Sequence, residues 1–367
     1  MIVPSYFQEL ASSQSMQFLL DASQQNLQQN TLWRKYLEQG IPQVSLTFDS
    51  AIGRERIEAA ASIVDSDASA PLRSRNKLEL YKGKIPAIKE AFKMTQDEMR
   101  QLEMLKSMHI NGTNNALLSF LNKDLQEAAV SGDKRVDIML LQAMSTLKID
   151  VNATNNPDGV IYGEIDLLAK SYQKQGVPTV WSDSATADPI SDIMNFTQWV
   201  WSTKGIQFGV MTMSYDMWLN FIKSAKVKTW LSSFFNIGKG SSSFAITLDN
   251  INMALTANRL PVIDIINHVS HIEKDGKPTF YKAFDVNAVS FMPAGKIGKL
   301  FNAVSMEKLH PVESVSYADF GPTLVKKYAD NNPLTEYTEM EMNAFPSVDV
   351  DKIFILTTNV VKASFAD

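Results

Sequence analysis

The sequence predicts an α+β fold, and three patterns along the chain predict it. Val44, Leu46 and Phe48 alternate with polar residues, which is the period of a half-buried strand. Between residues 136 and 147, apolar side chains recur every three or four residues, which is typical of an amphipathic helix. Residues 353–358 form a short apolar run of the kind that fills a buried strand. Strands are therefore expected on both sides of a helical region.

The composition is that of a globular protein that works without thiol chemistry. The chain has 367 residues, of which 45% are hydrophobic and 10% aromatic, which is enough for a large core. A net charge of −5 argues against general nucleic-acid binding, because that normally needs a basic surface. The absence of cysteine excludes disulfides and thiolate metal sites, and it fits assembly in a reducing cytoplasm.

Targeting and membrane segments are not expected. No lysine or arginine precedes Arg34, so the charged region that begins a signal peptide is missing. No uninterrupted apolar run approaches the length that spans a bilayer. We therefore expect no membrane partner.

The amino-terminal quarter of the chain predicts an arm followed by a long hairpin. Residues 1–31 are rich in Gln, Asn and Ser, and we interpret them as a loosely ordered arm. Their weak helical pattern consists of Phe18, Leu19, Ala22 and Leu27. From residue 41 onward the apolar residues alternate over short pieces, and the small residues near 59–71 predict an extended, mobile tip.

Two segments of opposite charge stand out. From Arg73 to Lys93 there are seven basic residues against two acidic ones, and from Ala329 to Asp351 there are six carboxylates and no basic residue. The ordinary interpretation is a solvated surface. The alternative is self-recognition between two copies, in which charge complementarity fixes the register more than it adds affinity. The intersubunit contact candidates are Arg73, Arg75, Lys77, Lys82, Lys84, Glu336, Glu339 and Glu341.

Local signals predict where the helices of the middle region begin and end. Thr95 and Glu98 have the spacing of a capping box, so a helix should start there. Its apolar stripe is interrupted at residues 111–115, so two helices are expected. A second interruption is expected at Ser131-Gly132-Asp133, just before the regular stripe of residues 136–147.

The second half predicts two hairpins and further capped helices. Residues 155–159 and the Asp275-Gly276 pair are turn signals. Asp188 followed by Pro189 predicts a helix start, and Ser214 predicts another. Five of the six tryptophans lie between residues 180 and 239, where we expect most of them in the core. Beyond residue 300 we expect short strands and loops, which end in the apolar strand of residues 353–358.

Few residues are candidates for chemistry. His268 and His271 lie near Glu273, but at strand spacing they point to opposite faces, so polar hairpin residues are the better interpretation than metal ligands. The Gly-Lys pairs at 238, 295 and 298 lack the glycine five positions earlier that a Walker A loop requires. No nucleophile elbow and no zinc-protease helix is present. The sequence therefore predicts no catalytic residue, no cofactor and no metal, and the chain is not expected to be an enzyme.

Several short motifs, taken in order, resemble the lambda-type (E-type) major capsid proteins of tailed bacteriophages. Residues 181–182 (Trp-Ser) precede residues 188–193 (Asp-Pro-Ile-Ser-Asp-Ile), and residues 291–293 (Phe-Met-Pro) follow the second hairpin. Residues 336–338 (Glu-Tyr-Thr) and Pro346 lead into the last strand. The co-linear order of these motifs carries the resemblance, which covers most of the chain. The break at residues 111–115 and the Gln-rich arm depart from the family pattern.

The resemblance implies a Hong Kong 97-like capsid fold in five segments. The first two would be an N-terminal arm (1–40) and an extended loop (41–93). A peripheral domain with a spine helix and hairpin (94–177) and an axial domain (178–300) would follow. Residues 301–367 would return to the peripheral domain and supply a C-terminal strand.

The resemblance also implies a function and a set of partners. Copies of the chain would join as hexamers and pentamers into an icosahedral head that encloses double-stranded DNA without sequence-specific contact. Scaffold, portal and decoration proteins would be further partners, and assembly would take place in the host cytoplasm. An encapsulin-like cargo shell with the same fold is one alternative. A soluble ligand-binding protein that uses the Trp-rich central domain is a second one, and an enzyme is a third.

Overall fold

The structure, a computed structural model of the single chain, describes residues 2–6, 11–29, 31–52, 79–107, 113–235, 246–274 and 276–366. The chain divides into two compact units. The first unit comprises Met1–Asp49, Lys82–Ile138 and Gly298–Ser347. The second unit comprises Ser50–Tyr81, Met139–Ile297 and Val348–Asp367. The predicted loop tip and the Gly-Lys pair at 238 lie outside the described residues.

Helices and strands alternate irregularly along the chain. The helices are α1 (Ser13–Gln29), α2 (Trp33–Tyr36), α3 (Gln96–Ser107), α4 (Thr113–Thr146), α5 (Pro189–Lys204), α6 (Tyr215–Lys223), α7 (Ala225–Phe234), α8 (Leu248–Ala257) and α9 (Met306–Leu309). The first nine strands are β1 (Ile2–Val3), β2 (Leu37–Gln39), β3 (Thr47–Ile52), β4 (Glu79–Lys84), β5 (Ala87–Met94), β6 (Lys148–Val151), β7 (Gly163–Asp166), β8 (Lys174–Val177) and β9 (Val210–Ser214). The others are β10 (Val262–Ile266), β11 (Ser270–Lys274), β12 (Lys277–Tyr281), β13 (Ala288–Met292), β14 (Gly298–Ala303), β15 (Ser316–Phe320), β16 (Thr323–Asn331), β17 (Leu334–Val348) and β18 (Phe354–Val361).

The first unit is built on a seven-stranded sheet. Its strand order is β1-β16-β17-β14-β2, with β15 paired to β16 and β5 paired to β17. The expectation of short strands beyond residue 300 is wrong, because β16 has 9 residues and β17 has 15. The charged residues along β17 made the segment look like solvated surface in the sequence, although β17 lies in the middle of the sheet. The lysines that neutralise them lie on neighbouring strands, which sequence spacing does not reveal.

The N-terminal arm contains an ordered helix, which corrects the expectation of a loose arm. Met16 and Leu20 form the buried face of α1, one turn apart. Phe18, which belongs to the weak pattern seen in the sequence, is 72% exposed. Helix α1 packs against β15, so its stability comes from tertiary contact rather than from its own composition.

The expected interruption at Ser131-Gly132-Asp133 is also wrong, because α4 runs through it without a break. A Cβ on Gly132 would lie 2.6 Å from Met340 Cε and 2.7 Å from Met342 Sδ. Glycine therefore lets β17 approach the helix closely. Asp133 is buried and accepts hydrogen bonds from Trp33 and Arg34. The first break is consistent with expectation, since α3 ends at Ser107 and α4 begins at Thr113, although residues 108–112 lie outside the described residues.

The second unit surrounds a mixed five-stranded sheet. Its order is β10-β9-β13-β18-β8, with parallel pairs at both ends and antiparallel pairs in the middle. The two predicted hairpins are present as β6–β7 and β11–β12. Both predicted caps are confirmed as well. Asp188 Oδ1 accepts a hydrogen bond from Ser191 N at 3.2 Å, and Ser214 Oγ accepts one from Met217 N at 3.1 Å.

Candidate intersubunit surfaces

The basic half of the predicted contact lies mostly outside the described residues. Arg73, Arg75 and Lys77 fall in residues 53–78, of which nothing is described. Lys82 belongs to β4, but the placement of its side chain is not described. Lys84 ends β4 and is exposed. An intersubunit role for these five residues stays a prediction.

The acidic half of the predicted contact begins with Glu341 on β17. Lys89 of β5 stands directly opposite Glu341 in the strand register, and Lys89 Nζ lies 3.0 Å from Glu341 Oε2. Asn343 Nδ2 donates a hydrogen bond to Glu341 Oε1 at 3.0 Å. Burial raises the pKa of Glu341, but the bonds from Lys89 and Asn343 outweigh burial and hold the pKa below its usual value.

Glu339 belongs to a second ionic cluster on the same strand. Lys326 of β16 lies opposite it, and Lys326 Nζ is 3.1 Å from Glu339 Oε1 and 2.6 Å from Glu307 Oε1. Tyr328 OH donates to Glu339 Oε2 at 3.0 Å. Burial, reinforced by the adjacent Glu339 carboxylate, raises the pKa of Tyr328 to about 12. Burial lowers the pKa of Lys326, yet its bonds to the two glutamates prevail and raise it.

Glu336 is the most deeply buried of the three candidates, with 1% exposure. Lys327 Nζ lies 3.7 Å from its Oε1, and burial lowers the pKa of Lys327 despite the pull of Glu336 and Asp124. Ser5 Oγ donates to Glu336 Oε1, and Tyr6 N donates to Glu336 Oε2 at 3.3 Å. Glu336 therefore holds the N-terminal residues that follow β1 against the sheet.

The three acidic candidates thus have lysine partners within the first unit. The basic and acidic segments were expected to meet between copies, and part of that complementarity is used inside one chain. A contact between copies through Glu336, Glu339 or Glu341 stays a prediction, but Glu336 has almost no exposed surface to offer. The spacing of the acidic residues was the sequence signal for their shared surroundings. Residues two positions apart in a strand lie on the same face, so Glu339 and Glu341 share one face of β17.

The base of the predicted extended loop is fixed by an aromatic cluster. Phe48 of β3 is buried and stacks on Phe301 and Phe345, with ring centroids 4.6 Å and 5.2 Å away. Gly83 of β4 lies against the Phe48 ring, since a Cβ there would be 2.4 Å from Phe48 Cζ. Val44 and Leu46, which were expected on the same buried face as Phe48, are exposed because β3 begins only at Thr47.

Two buried aspartates attach the N-terminal arm to α4. Asp137 accepts hydrogen bonds from Leu32 N at 3.0 Å and Trp33 N at 2.7 Å. Asp133 accepts one from Trp33 Nε1 at 2.9 Å and one from Arg34 at 3.0 Å. Burial raises the pKa of Asp137 to about 7, against the lowering effect of the two backbone donors. The sequence offered one signal for this site, two aspartates four residues apart beside an apolar stripe.

The tryptophans of the second unit are mainly core residues, as expected. Trp181 and Trp218 are buried, and Trp199 and Trp230 pack against the same core. Trp181 Nε1 donates to Asp192 Oδ2 at 2.9 Å, and burial raises the pKa of Asp192 to about 6. Trp201 is the exception, with more than half of its surface exposed. A single exposed indole is not the concave site that a small ligand needs.

The remaining chemical candidates have structural surroundings. His271 lies opposite Phe280 in the β11–β12 hairpin, with ring centroids 4.8 Å apart, while His268 precedes the hairpin. Across the described ranges, no group of three or more His, Cys, Asp or Glu residues is placed to hold a metal ion. Among the helices that the structure describes, none is long and apolar enough to cross a membrane.

The described residues define a protein built around extended sheets and a long helix. The family model for phage major capsid protein E matches residues 19–358. The chain therefore belongs to the phage major capsid protein E family. It is a structural capsid protein rather than an enzyme, and the alternative functions considered from the sequence are not favoured.

A solved structure with a TM-score above 0.5 agrees with the Hong Kong 97-like fold that the resemblance implied. A protein assigned as the capsid protein of a prophage in Escherichia coli CFT073 is 12% identical, with coverage of 97% of this chain and 99% of that chain and a TM-score of 0.57. A phage-related protein from Bordetella bronchiseptica RB50 is 11% identical over 96% of this chain and 99% of that one, with a TM-score of 0.49. The capsid of Myoviridae phage XM1 is 9% identical over 88% of this chain and 89% of that one, with a TM-score of 0.41. No curated protein sequence matches the chain.

Proposed function

We propose that copies of this chain join as hexamers and pentamers into the icosahedral head of a tailed phage, which encloses double-stranded DNA. The family match over residues 19–358 is the observation that carries the proposal. Closed shells of this kind need large self-complementary surfaces rather than a reactive site. The fold supplies candidates for such surfaces in both units.

The partners beyond the chain itself follow from the same proposal. Scaffold, portal and decoration proteins would assemble with it in the host cytoplasm. Packaged DNA would contact the shell without sequence preference. The net charge of −5 supports weak rather than tight DNA contact, because tight binding requires many lysine and arginine contacts to phosphate.

The extended loop is the element that we propose to reach a neighbouring subunit. Its base is anchored, because Phe48 stacks on Phe301 and Phe345. Beside this base, Ile41 is 91% exposed and Val44 is exposed as well, so the segment before β3 presents aliphatic surface outward. An anchored base restricts the movement of the loop, which limits the entropy lost on contact.

The charges on the loop would set the register of that contact. Arg73, Arg75, Lys77, Lys82 and Lys84 are its basic candidates. Glu339 and Glu341 keep some exposed surface beside their lysines, whereas Glu336 acts from inside by holding the N-terminal residues. Rim charges of this kind influence the rate and register of association more than its strength.

A charge reversal at Arg73, Arg75 and Lys77 tests the loop. The variant R73E/R75E/K77E should remain folded by circular dichroism but should not form shells in electron micrographs. The matched control R73K/R75K/K77R keeps all three charges and should assemble as the wild type does. Wild-type-like particles from the reversed variant would show that the loop charges do not direct assembly.

A further inference from the structure

Strand β15 is an edge strand whose outward backbone groups are bound by side chains of α1. Within the described residues, β15 pairs with β16 alone. Tyr317 N donates to Ser13 Oγ at 3.0 Å, and Asp319 N donates to Gln17 Oε1 at 2.8 Å. Gln17 Nε2 in turn donates to Asp319 O at 3.0 Å. In an antiparallel pair, the backbone N–H and C=O groups of every second residue point away from the neighbouring strand. Tyr317 and Asp319 are two such residues of β15.

The Gln17 side chain reproduces the bonding of a neighbouring strand. Its amide offers one acceptor and one donor, and both bind the same residue, as a backbone peptide of an adjacent strand would. An uncovered edge strand presents such groups as a template for another chain. The arm therefore covers a surface that is chemically suited to β-strand addition.

Helix α1 is held on this edge by few apolar contacts. Its buried side chains are Met16 and Leu20, while Phe18 on the other side is 72% exposed. It has no acidic residue in its first turn and no basic residue in its last turn to favour its dipole. A hydrogen bond from Gln126 Nε2 to Ser23 Oγ, at 2.8 Å, adds one further polar tie.

The β10 edge of the five-stranded sheet is also covered by an amide side chain, but the helix that carries this side chain belongs to the core of the second unit. Asn252 of α8 accepts a hydrogen bond from Ile263 N at 2.7 Å and donates one to Ile263 O at 3.0 Å, which covers the edge of β10. Helix α8 buries Ile251, Ala254 and Leu255 in the core of the second unit. The β10 edge is therefore closed permanently, whereas the β15 edge is closed by a helix with two buried side chains.

We propose that α1 is a removable cover on a strand-docking edge, and that an extended segment of a second copy of this chain pairs with β15 when α1 is displaced. The family to which the chain belongs forms shells from copies of one protein, so the second copy is the partner present at assembly. The candidate segment is residues 40–47, which carry no charge and expose Ile41 and Val44. One side of this segment borders β14 in its own chain, through hydrogen bonds from Gly40 N and Gln43 N. The Gln-rich arm then controls when copies of the chain associate.

The variant S13A/Q17A removes the three hydrogen bonds without touching Met16 or Leu20. The matched control Q14A/Q25A changes two exposed glutamines on the outer side of the same helix. In dilute, unassembled protein, hydrogen exchange of a peptide that contains Tyr317 and Asp319 should be about tenfold faster in S13A/Q17A than in the wild type. The control should exchange at the wild-type rate. Unchanged exchange in S13A/Q17A would show that α1 is not a cover.

Raising the concentration of the same variants tests whether a second copy docks on β15. S13A/Q17A should associate at a lower concentration than the wild type or the control in size-exclusion chromatography with light scattering. In the associated form, the Tyr317–Asp319 peptide should be protected again. Association without renewed protection, or faster exchange without association, would overturn strand docking at β15. Equal melting temperatures of the two variants show that the comparison is made between folded proteins.

Discussion

Lys89 Nζ lies 3.0 Å from Glu341 Oε2, and the two residues are direct cross-strand partners in β5 and β17. This pair joins the basic and the acidic segments of the sequence within one unit. The end of the basic segment is therefore β5, a strand of the first unit's sheet. A contact between copies through the earlier basic residues of the segment, such as Arg73, Arg75 and Lys77, stays a prediction.

Reversing Lys89 tests the role of this pair in folding. K89E places two carboxylates opposite each other, and it should lower the free energy of unfolding by about 1 kcal/mol, since Lys89 is half exposed. The double variant K89E/E341K should recover most of that loss. Thermal melts of the wild type, K89E, E341K and the double variant measure the coupling between the two side chains. Simple addition of the two single effects would mean that the pair contributes nothing.

Stability should depend on pH through Asp137. Its folded pKa of about 7 lies above the ordinary value of 3.8 for an aspartate, so between these values the folded protein binds a proton that the unfolded chain does not bind. The contribution of Asp137 to stability is present below about pH 4 and is lost as the pH rises through 7. Asp192, with a pKa of about 6, acts in the same direction over a lower window.

Urea unfolding at several pH values between 5 and 8 measures this dependence. D137N should flatten the fall in unfolding free energy over that range, because it removes the group that titrates. The control D158N changes an exposed aspartate and should keep the wild-type slope. A slope that is identical in D137N and the wild type would exclude Asp137 as a source of the pH dependence.

The base of the extended loop should be sensitive to loss of its aromatic anchor. F48A removes a buried ring that stacks on Phe301 and Phe345, and it should cost about 3–5 kcal/mol of unfolding free energy. F18A, at a side chain that is 72% exposed, should change stability by about 0.5 kcal/mol or less. Denaturant melts compare the two. Equal effects would contradict the burial of Phe48.

Gly132 should tolerate a methyl group but not a larger side chain. The nearest atoms to an added Cβ are Met340 Cε and Met342 Sδ, which are the flexible ends of side chains that can turn away. G132A should therefore stay within about 1 kcal/mol of the wild type, aided by the better helix propensity of alanine. G132L should cost about 1–3 kcal/mol or more through overpacking against β17. Thermal denaturation of both variants decides, and a tolerated leucine would contradict the close approach.

Local signals in the sequence were sufficient where the physics is local. The Thr95–Glu98 capping box forms, with Thr95 N donating to Glu98 Oε2 at 2.7 Å, and Asp188 and Pro189 start α5. Such caps depend on residues within one turn of helix, so their spacing is visible in the chain.

Interactions that join distant segments could not be predicted from local patterns. Ser131-Gly132-Asp133 looks like a helix break, yet Gly132 accommodates β17 and Asp133 binds Trp33, about a hundred positions away in the chain. The Gln-rich arm looks loose because its polar residues have no local partner, while Gln17 binds the backbone of Asp319. In the same way, the carboxylates of β17 look like a solvated surface until their lysines are known.

Electron microscopy of the purified protein, expressed alone and together with the scaffold protein proposed as its partner, shows whether the chain forms shells. We expect closed shells composed of hexamers and pentamers, which elute in size-exclusion chromatography far ahead of the single chain. A lone 41.0 kDa species that never assembles under either condition would contradict it.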